Sequence, residues 1–185
     1  METVKIEVIK RTEFGKEKVK QLRAKNLIPA EVYGTDLKEN LSILLDYKLV
    51  SNTLLKGPRG RNTLFSFDVD GKTINTICYE IQVHPITKQI LHIDLKTVNE
   101  KTKIRVKVAL KPTGSSTGVQ KGGMLQQKVD YIPLFILPQE IPVHIDADVT
   151  NLDIKEQLQI KDLILPPSAE IIKLSPKQPT FTVKG

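Results

Sequence analysis

The chain has 185 residues, enough for one large domain or two of about 90 residues each. Its 28 lysines and arginines against 21 acidic residues give a net charge of +7, which favours an anionic partner such as nucleic acid or a membrane surface. No apolar run approaches the roughly 20 residues of a membrane-spanning helix, and the first ten residues lack a signal-peptide pattern. A single cysteine excludes an internal disulfide, so we expect a soluble intracellular protein.

Residues 14–34, FGKEKVKQLRAKNLIPAEVYG, predict a short basic helix followed by a strand. Lys16, Lys20 and Arg23 are spaced i, i+4, i+7, so they share one helical stripe on which like charges repel. A polyanion along that stripe would relieve the repulsion, although a solvated amphipathic helix is an equally good interpretation. The residue before the following proline disfavours helix, and residues 30–33 are then predicted to be a strand.

Alternating apolar residues predict that the rest of the first half is mostly β. A second helix is expected over residues 47–56, capped by Asp46 and ended by Gly57. The Asp-Gly pair at 70–71 is a strong hairpin signal. Six strands with short connections suggest a small closed β-barrel, because closure removes exposed sheet edges. The expected strands are residues 4–8, 30–33, 41–45, 63–69, 72–82 and 90–95.

The charge pattern reverses near residue 100. Residues 101–129 hold seven basic and no acidic residues, whereas residues 130–172 hold eight acidic and two basic ones. Such a reversal predicts a separate second domain, all-β because its short apolar runs are separated by prolines. The Gly/Ser-rich residues 113–123 are expected to form a mobile loop. We expect the basic zone to contact RNA and the acidic zone to face solvent or protein, unless both zones neutralise each other within one fold.

The polar residues favour recognition over catalysis. His92 and Asp94 share one face of a strand, but no placed nucleophile accompanies them, and no metal-ligand or nucleotide-binding spacing occurs. Together with Gln82, they have side chains suited to reading base edges and 2′-hydroxyls in a shallow RNA minor groove. Tyr33 either stacks on a base or belongs to the core. With few aromatic residues, structured RNA is a better partner than a single strand, and we expect no cofactor and no metal.

Three further features have mainly structural interpretations. Cys78 lies in an apolar strand-like run, which predicts a buried, passive thiol. His84 precedes a proline in a turn and is expected to be structural. The loop GPRGRN at 57–62, with Lys56 before it, is either a second cationic patch or an ordinary solvated loop.

Two motifs resemble a known family. GK…LR…IPAxVYG at 15–34 and IQVHPITKQILHIDL at 81–95 resemble the bacterial large-subunit ribosomal protein that binds 5S rRNA. The length and the acidic C-terminal half resemble its long two-domain form, the general stress protein CTC family. The resemblance implies a mainly β protein. Residues 1–98 would form a small six-stranded closed β-barrel with two or three short helices that binds 5S rRNA, and residues 99–185 a second all-β domain.

The resemblance also implies roles for individual residues. Lys16, Lys20 and Arg23 would contact backbone phosphates and Tyr33 would lie at the RNA surface, while Gln82, His92 and Asp94 would read the minor groove. Gln21 and Val83 stand where basic or aromatic residues are usual, which weakens the charge of the site.

As for function, the resemblance implies a non-enzymatic structural component of the cytoplasmic large (50S) ribosomal subunit. The protein would be a monomer beside neighbouring ribosomal proteins, with no membrane association. A stress-responsive RNA-binding or regulatory protein acting partly off the ribosome is the alternative. A hydrolase using His92 and Asp94 is a remote third possibility.

Overall fold

The structure is a computed structural model of the full chain, and it describes residues 3–34, 37, 39–69 and 71–185. The chain divides between Thr102 and Lys103 into two compact units. Both units are mainly β, as the sequence predicts. Within the described ranges, no helix is long and apolar enough to cross a membrane.

The first unit contains seven strands in its described part. They are β1 (Thr3–Lys5), β2 (Ile9–Lys10), β3 (Leu27–Tyr33), β4 (Leu41–Asp46), β5 (Leu64–Val69), β6 (Lys72–Val83) and β7 (Ile90–Thr97). Two helices accompany them: α1 (Lys16–Ala24) and α2 (Tyr47–Ser51), which a wider helical turn extends over Asn52–Lys56. The Asp46 carboxylate caps α2 as predicted, accepting a 2.8 Å hydrogen bond from the Leu49 amide.

The seven strands form one sheet in the order β1-β5-β6-β7-β3-β4-β2. Residues 4–8 do not form the single strand that the sequence predicts, because the chain leaves the edge of β5 after Ile6 and joins the edge of β4 at Ile9. The sequence predicts a closed six-stranded barrel. The structure confirms that the unit is mainly β, but it does not show a closed barrel. The sheet is mainly antiparallel and curved as an open half-barrel, with seven strands rather than six.

The core of the first unit lies inside this curved sheet. Alternating side chains of each strand point inward, because successive residues of a strand face opposite sides of a sheet. Phe65, Phe67, Ile93 and Leu95 are each no more than 1% exposed. The β5–β6 hairpin has the two-residue connection that the sequence predicts, since Val69 lies opposite Lys72. Asp70 itself lies outside the described residues.

The basic helix ends earlier than the proline suggests. Helix α1 stops at Ala24, and Asn26 adopts a positive φ of 60° that redirects the chain into β3. Pro29 lies inside β3, opposite Leu44 of β4 and just before the residues that pair with β7. The strand tolerates proline here because only one neighbour requires hydrogen bonds at that position.

The second unit consists of two small sheets. Its strands are β8 (Ile104–Thr113), β9 (Met124–Gln127), β10 (Tyr131–Ile136), β11 (His144–Asp148), β12 (Gln157–Gln159), β13 (Glu170–Ile171) and β14 (Pro179–Lys184). One sheet has the order β11-β8-β10-β13 and the other β12-β14-β9. Basic β8 therefore lies between two strands of the acidic zone, so the two charge zones share one sheet. Whether the two zones face different partners or neutralise each other stays a prediction.

The Gly/Ser-rich segment of the second unit is packed rather than a mobile loop. It contains a short helix, α3 (Thr117–Gln120), preceded by Ser116, which is only 2% exposed. The Ser116 hydroxyl donates a 2.7 Å hydrogen bond to the Leu152 carbonyl. Gly118 lies so close to Asp153 that an added Cβ would be 2.8 Å from its carbonyl carbon. The small residues therefore serve close packing here, which composition alone does not distinguish from flexibility.

Gly34, which follows β3, gives a test of the packing behind the predicted RNA surface. A Cβ at Gly34 would lie 1.8 Å from Thr97 Oγ1, whereas a Cβ at Gly15 would meet nothing within 4 Å. Both glycines have a positive φ, so Gly34→Ala and Gly15→Ala share backbone strain and differ in the clash. We expect Gly34→Ala to cost about 1–3 kcal/mol more in the free energy of unfolding. Urea unfolding of the full chain, followed by circular dichroism, measures this difference. Equal unfolding midpoints would show that Thr97 yields without cost.

Candidate nucleic-acid interface

Helix α1 presents its cationic stripe to solvent. None of its residues is buried, and only Val19 and Leu22 are partly covered. Lys16 and Lys20 have no ion-pair partner among the described residues. Lys18, by contrast, lies 3.2 Å from Glu13. The two unpaired ammonium groups are therefore available to an external anion.

Arg23 attaches the end of this helix to the sheet. Its Nη2 donates a 2.8 Å hydrogen bond to the carbonyl oxygen of Leu91 in β7, 68 residues further along the chain. The guanidinium keeps four other N–H donors, because a single hydrogen bond uses one of five. Arg23 thus both positions α1 beside β7 and retains donors for a phosphate.

The parallel pairing of β3 with β7 brings the remaining predicted residues together. Glu31 lies opposite Asp94, and Tyr33 lies opposite Lys96. Directly opposite residues share a face of the sheet, with neighbouring strands about 4.8 Å apart. The outer face of β3 and β7 therefore carries Tyr33 and Asp94 close together, with the exposed ammonium of Lys96 beside them.

The three predicted reading residues lie on adjacent strands of that face. Gln82 of β6 lies directly opposite His92 of β7. His92 Nδ1 is 2.8 Å from Asp94 Oδ1, and the two side chains are 23% and 30% exposed. His92 Nδ1 itself is buried and has no aligned hydrogen bond among the described residues, so the two groups are in contact while both side chains keep an edge toward solvent. The structure brings Gln82, His92 and Asp94 into one cluster, as their expected roles require.

Tyr79 belongs to this surface although the sequence pattern did not indicate it. Tyr79 follows Ile77 in alternation on the outer face, where it is 62% exposed. A β-bulge between Cys78 and Glu80 leaves Tyr79 as the extra residue, so Glu80 after it also faces outward and Ile81 returns to the core. Its ring packs edge-to-face on Tyr33, with centroids 6.1 Å apart. A pattern of two-residue periodicity contains no signal for this extra residue.

Tyr33 is thus neither fully buried nor free of the sheet. Burial raises the pKa of its hydroxyl, and the negative charge of Asp94 raises it further. The phenol therefore remains a neutral hydrogen-bond donor at physiological pH. Tyr33 and Tyr79 together form a small exposed aromatic pair beside Asp94.

A row of carboxylates crosses the same surface. Asp94 has Glu31 opposite it on one side and Glu80 on the other. These carboxylates repel phosphates. A nucleic acid can therefore approach this part of the face only with its own neutral or hydrogen-bond-donating groups. The surface therefore divides chemically into a cationic part on α1 and an acceptor-rich part on β6 and β7.

The other predicted features have structural roles or no defined one. His84 Nδ1 accepts hydrogen bonds from the amides of Ile86 and Thr87, which confirms its place in a turn. Cys78 is 6% exposed, and burial raises the pKa of its thiol to about 12. Arg61 lies in the short helical turn Gly60–Asn62, and nothing else in the structure assigns the 57–62 loop to the interface.

The chemistry of this surface is that of recognition rather than catalysis. Charged donors, acceptors and an aromatic pair are exposed side by side. In the part of the chain that the structure describes, no serine or cysteine nucleophile is oriented by His92. Nor does any group of three potential ligands among these described residues have a placement that could hold a metal ion.

Comparison with known proteins agrees with this interpretation. The ribosomal L25p family matches residues 6–95, and the C-terminal domain of ribosomal protein TL5 matches residues 103–185. The large ribosomal subunit protein bL25 of Dictyoglomus thermophilum is 36% identical over 176 residues, covering 93% of this chain and 85% of the relative. That of Bacillus pumilus is 34% identical over 164 residues, covering 88% and 76%. The chain therefore belongs to the ribosomal L25p family, in the form with a TL5-type second domain.

Membership confirms the resemblance inferred from the two sequence motifs. The family consists of structural ribosomal proteins, so the protein is not an enzyme, and the hydrolase interpretation of His92 and Asp94 is excluded.

The buried thiol beneath the site gives a second test. With the pKa of Cys78 raised to about 12, roughly one thiol in ten thousand is ionised at pH 8. We expect negligible labelling by a thiol-reactive dye at pH 8 in native protein, and rapid stoichiometric labelling once guanidinium unfolds the chain. The native rate should rise about tenfold per pH unit, because only the thiolate reacts. Fast labelling of folded protein at pH 8 would contradict the bulged, closed packing of β6.

Proposed function

We propose that the protein is a structural component of the large ribosomal subunit that binds 5S rRNA through its first domain, residues 1–98. The relatives are large ribosomal subunit proteins, and the motifs at 15–34 and 81–95 point to the 5S-binding family. The observation that carries the proposal is the pairing of β3 with β7, which gathers residues from both motifs on one surface. On this proposal the protein acts in the cytoplasm, as a monomer beside neighbouring large-subunit proteins.

In this proposal α1 contacts the phosphate backbone. Among the described residues, the ammonium groups of Lys16 and Lys20 have no competing carboxylate, and the Arg23 guanidinium is anchored by the Leu91 carbonyl. Neutralising phosphates releases condensed counterions, which supplies affinity that depends on salt but not on sequence. The helix therefore positions the RNA without selecting it.

Selection comes from the acceptor-rich part of the surface. The shallow minor groove of an RNA helix offers 2′-hydroxyls and base edges, including the guanine amino group as a donor. Asp94 accepts from such donors, while Gln82 and His92 provide further polar contacts. Tyr33, with its neutral hydroxyl and its contact to Tyr79, lies at the edge where a sugar or base would rest. The carboxylate row disfavours phosphates here, which supports a groove edge rather than a backbone as the ligand.

We also infer that the first strand closes this domain into the six-stranded barrel expected from the sequence. The segment from Thr3 to Lys10 supplies both end strands of the sheet, one paired with β5 and the other with β4. The Ile6 amide still bonds to Ser66, and the Arg11 amide bonds to Ser42, each at 2.9 Å. Counting β1 and β2 as one bent strand gives six strands around the core.

The salt dependence of binding tests the proposal with the full chain. We expect specific binding to 5S rRNA that weakens steeply with salt, because phosphate contacts release counterions. Filter binding at several salt concentrations measures the slope for 5S rRNA and for an unrelated structured RNA of similar length. The proposal fails if the two RNAs bind equally, or if salt has no effect.

Single substitutions separate positioning from reading. Lys20→Ala should weaken binding to both RNAs and lower the magnitude of the salt slope by about one. Lys18→Ala is the matched control on the same helix, because Lys18 already has Glu13 as a partner; it should change the slope less. His92→Ala should reduce the preference for 5S rRNA by roughly 1–3 kcal/mol, by analogy with base-edge contacts in DNA. Equal losses for both RNAs in His92→Ala would refute its role as a reader.

A further inference from the structure

The second unit exposes a sheet face that the proposed 5S site does not use. In the sheet β11-β8-β10-β13, β8 and β10 are the two central strands. Val106, Val108 and Leu110 of β8 are buried, so the alternate residues of that strand point outward. Three outward residues of β8 lie directly opposite outward residues of β10, and the pairs are Arg105 with Phe135, Lys107 with Pro133, and Ala109 with Tyr131.

Two aromatic rings stand on this face. Tyr131 is 58% exposed and Phe135 is 39% exposed, although the chain has only nine aromatic residues other than histidine. Four residue steps along the strand separate them by about 13 Å, with Pro133 between them. Ala109, opposite Tyr131, leaves the space beside that ring open as far as His144, which lies opposite Ala109 on the other side. A planar group could therefore lie against Tyr131 above Ala109.

Cations accompany the rings. Arg105 lies opposite Phe135, and no hydrogen bond or ion pair holds its guanidinium among the described residues. Lys107 lies one pair further along the same strand. The outward positions of β8 and β10 thus combine aromatic and cationic side chains and carry no leucine, isoleucine, valine or methionine. A ring with a cation beside it suits a stacked base and the phosphate attached to it.

The acidic residues of this sheet lie at its edges and have partners there. Glu170 of β13 forms an ion pair with Lys103. Asp146 of β11 lies opposite Lys111 and 3.2 Å from His144 Nε2, and Asp148 accepts two hydrogen bonds from Thr150. The negative charge is therefore engaged at the margins, and the centre of the face keeps a positive character.

We propose that this face binds a short segment of unpaired RNA. Two bases stack on Tyr131 and Phe135, while Arg105 holds a phosphate of the segment that joins them. Stacking on exposed rings with neighbouring cations is how proteins bind single-stranded nucleic acid, and every base offers a face for it. The site lies in the other unit from the proposed 5S contacts and does not depend on them.

The absence of tryptophan from the chain makes a direct test possible. Tyr131→Trp in the full chain introduces one indole on the face, and a stacked base should quench its fluorescence. The probe is a mixed-sequence RNA of eight nucleotides without secondary structure, titrated to roughly 100 µM. A duplex of the same sequence serves as the comparison, because its bases are already stacked. Ile164→Trp is the control variant, since it places the indole at an 89% exposed position outside the strands of this sheet.

We expect the single strand to quench the indole of the Tyr131→Trp protein and the duplex to leave it unchanged. Neither RNA should quench the indole of the Ile164→Trp control. Adding Phe135→Ala to the Tyr131→Trp protein should weaken the affinity roughly 5- to 150-fold, which is the contribution of one stacked base. Phe135→Tyr keeps the ring and should restore binding. Circular dichroism checks that each variant remains folded.

Three outcomes would contradict the proposed stacking site. No quenching by the single strand, or the same quenching by the duplex, overturns the stacking site. Equal quenching in the Ile164→Trp control shows that the RNA contacts the protein without selecting this face. Quenching by purified large-subunit proteins but not by RNA assigns the face to a protein partner. None of these readouts reports on the first unit, so failure of 5S rRNA binding would leave them interpretable.

Discussion

The parallel pairing of β3 with β7 is the constraint on which the proposed RNA surface depends. These strands are separated by some sixty residues of chain, yet their register sets Glu31 against Asp94 and Tyr33 against Lys96. Because α1 leads into β3, the same pairing places the end of the helix at the start of β7, where Arg23 reaches the Leu91 carbonyl. A shift of one residue would turn Tyr33 inward and separate it from the acidic row.

The cationic and acidic parts of this surface suit different groups of the RNA. Lys16 and Lys20 of α1 suit phosphates, and the Glu31–Asp94–Glu80 row suits hydroxyl and amino donors. A uniformly basic face would bind any RNA, whereas a row of carboxylates penalises every pose that sets a phosphate against it. On this account the acidic residues contribute selectivity by exclusion, and the cations contribute affinity.

Much of the fold and of the candidate site could be predicted from the sequence. The predictions failed where the outcome depends on features that residue pattern and composition do not encode. Local sequence pattern predicted five of the six expected strands of the first unit, the cap at Asp46 and the clustering of Gln82, His92 and Asp94. It missed the bulge at Tyr79, which places Tyr79 and Glu80 on the outer face in succession, because an extra residue leaves no trace in a two-residue pattern. It also predicted mobility for residues 113–123, where Gly118 and Ser116 in fact serve close packing.

The central claim is that the first unit binds 5S rRNA. Ultraviolet cross-linking of the tagged full chain in growing cells tests it most directly, when bound RNA is sequenced and the cross-linked peptides are identified by mass spectrometry. The account predicts 5S rRNA joined to peptides that contain residues 16–23, 82 and 92–94. First-unit peptides joined only to other RNA, with none to 5S rRNA, would contradict it.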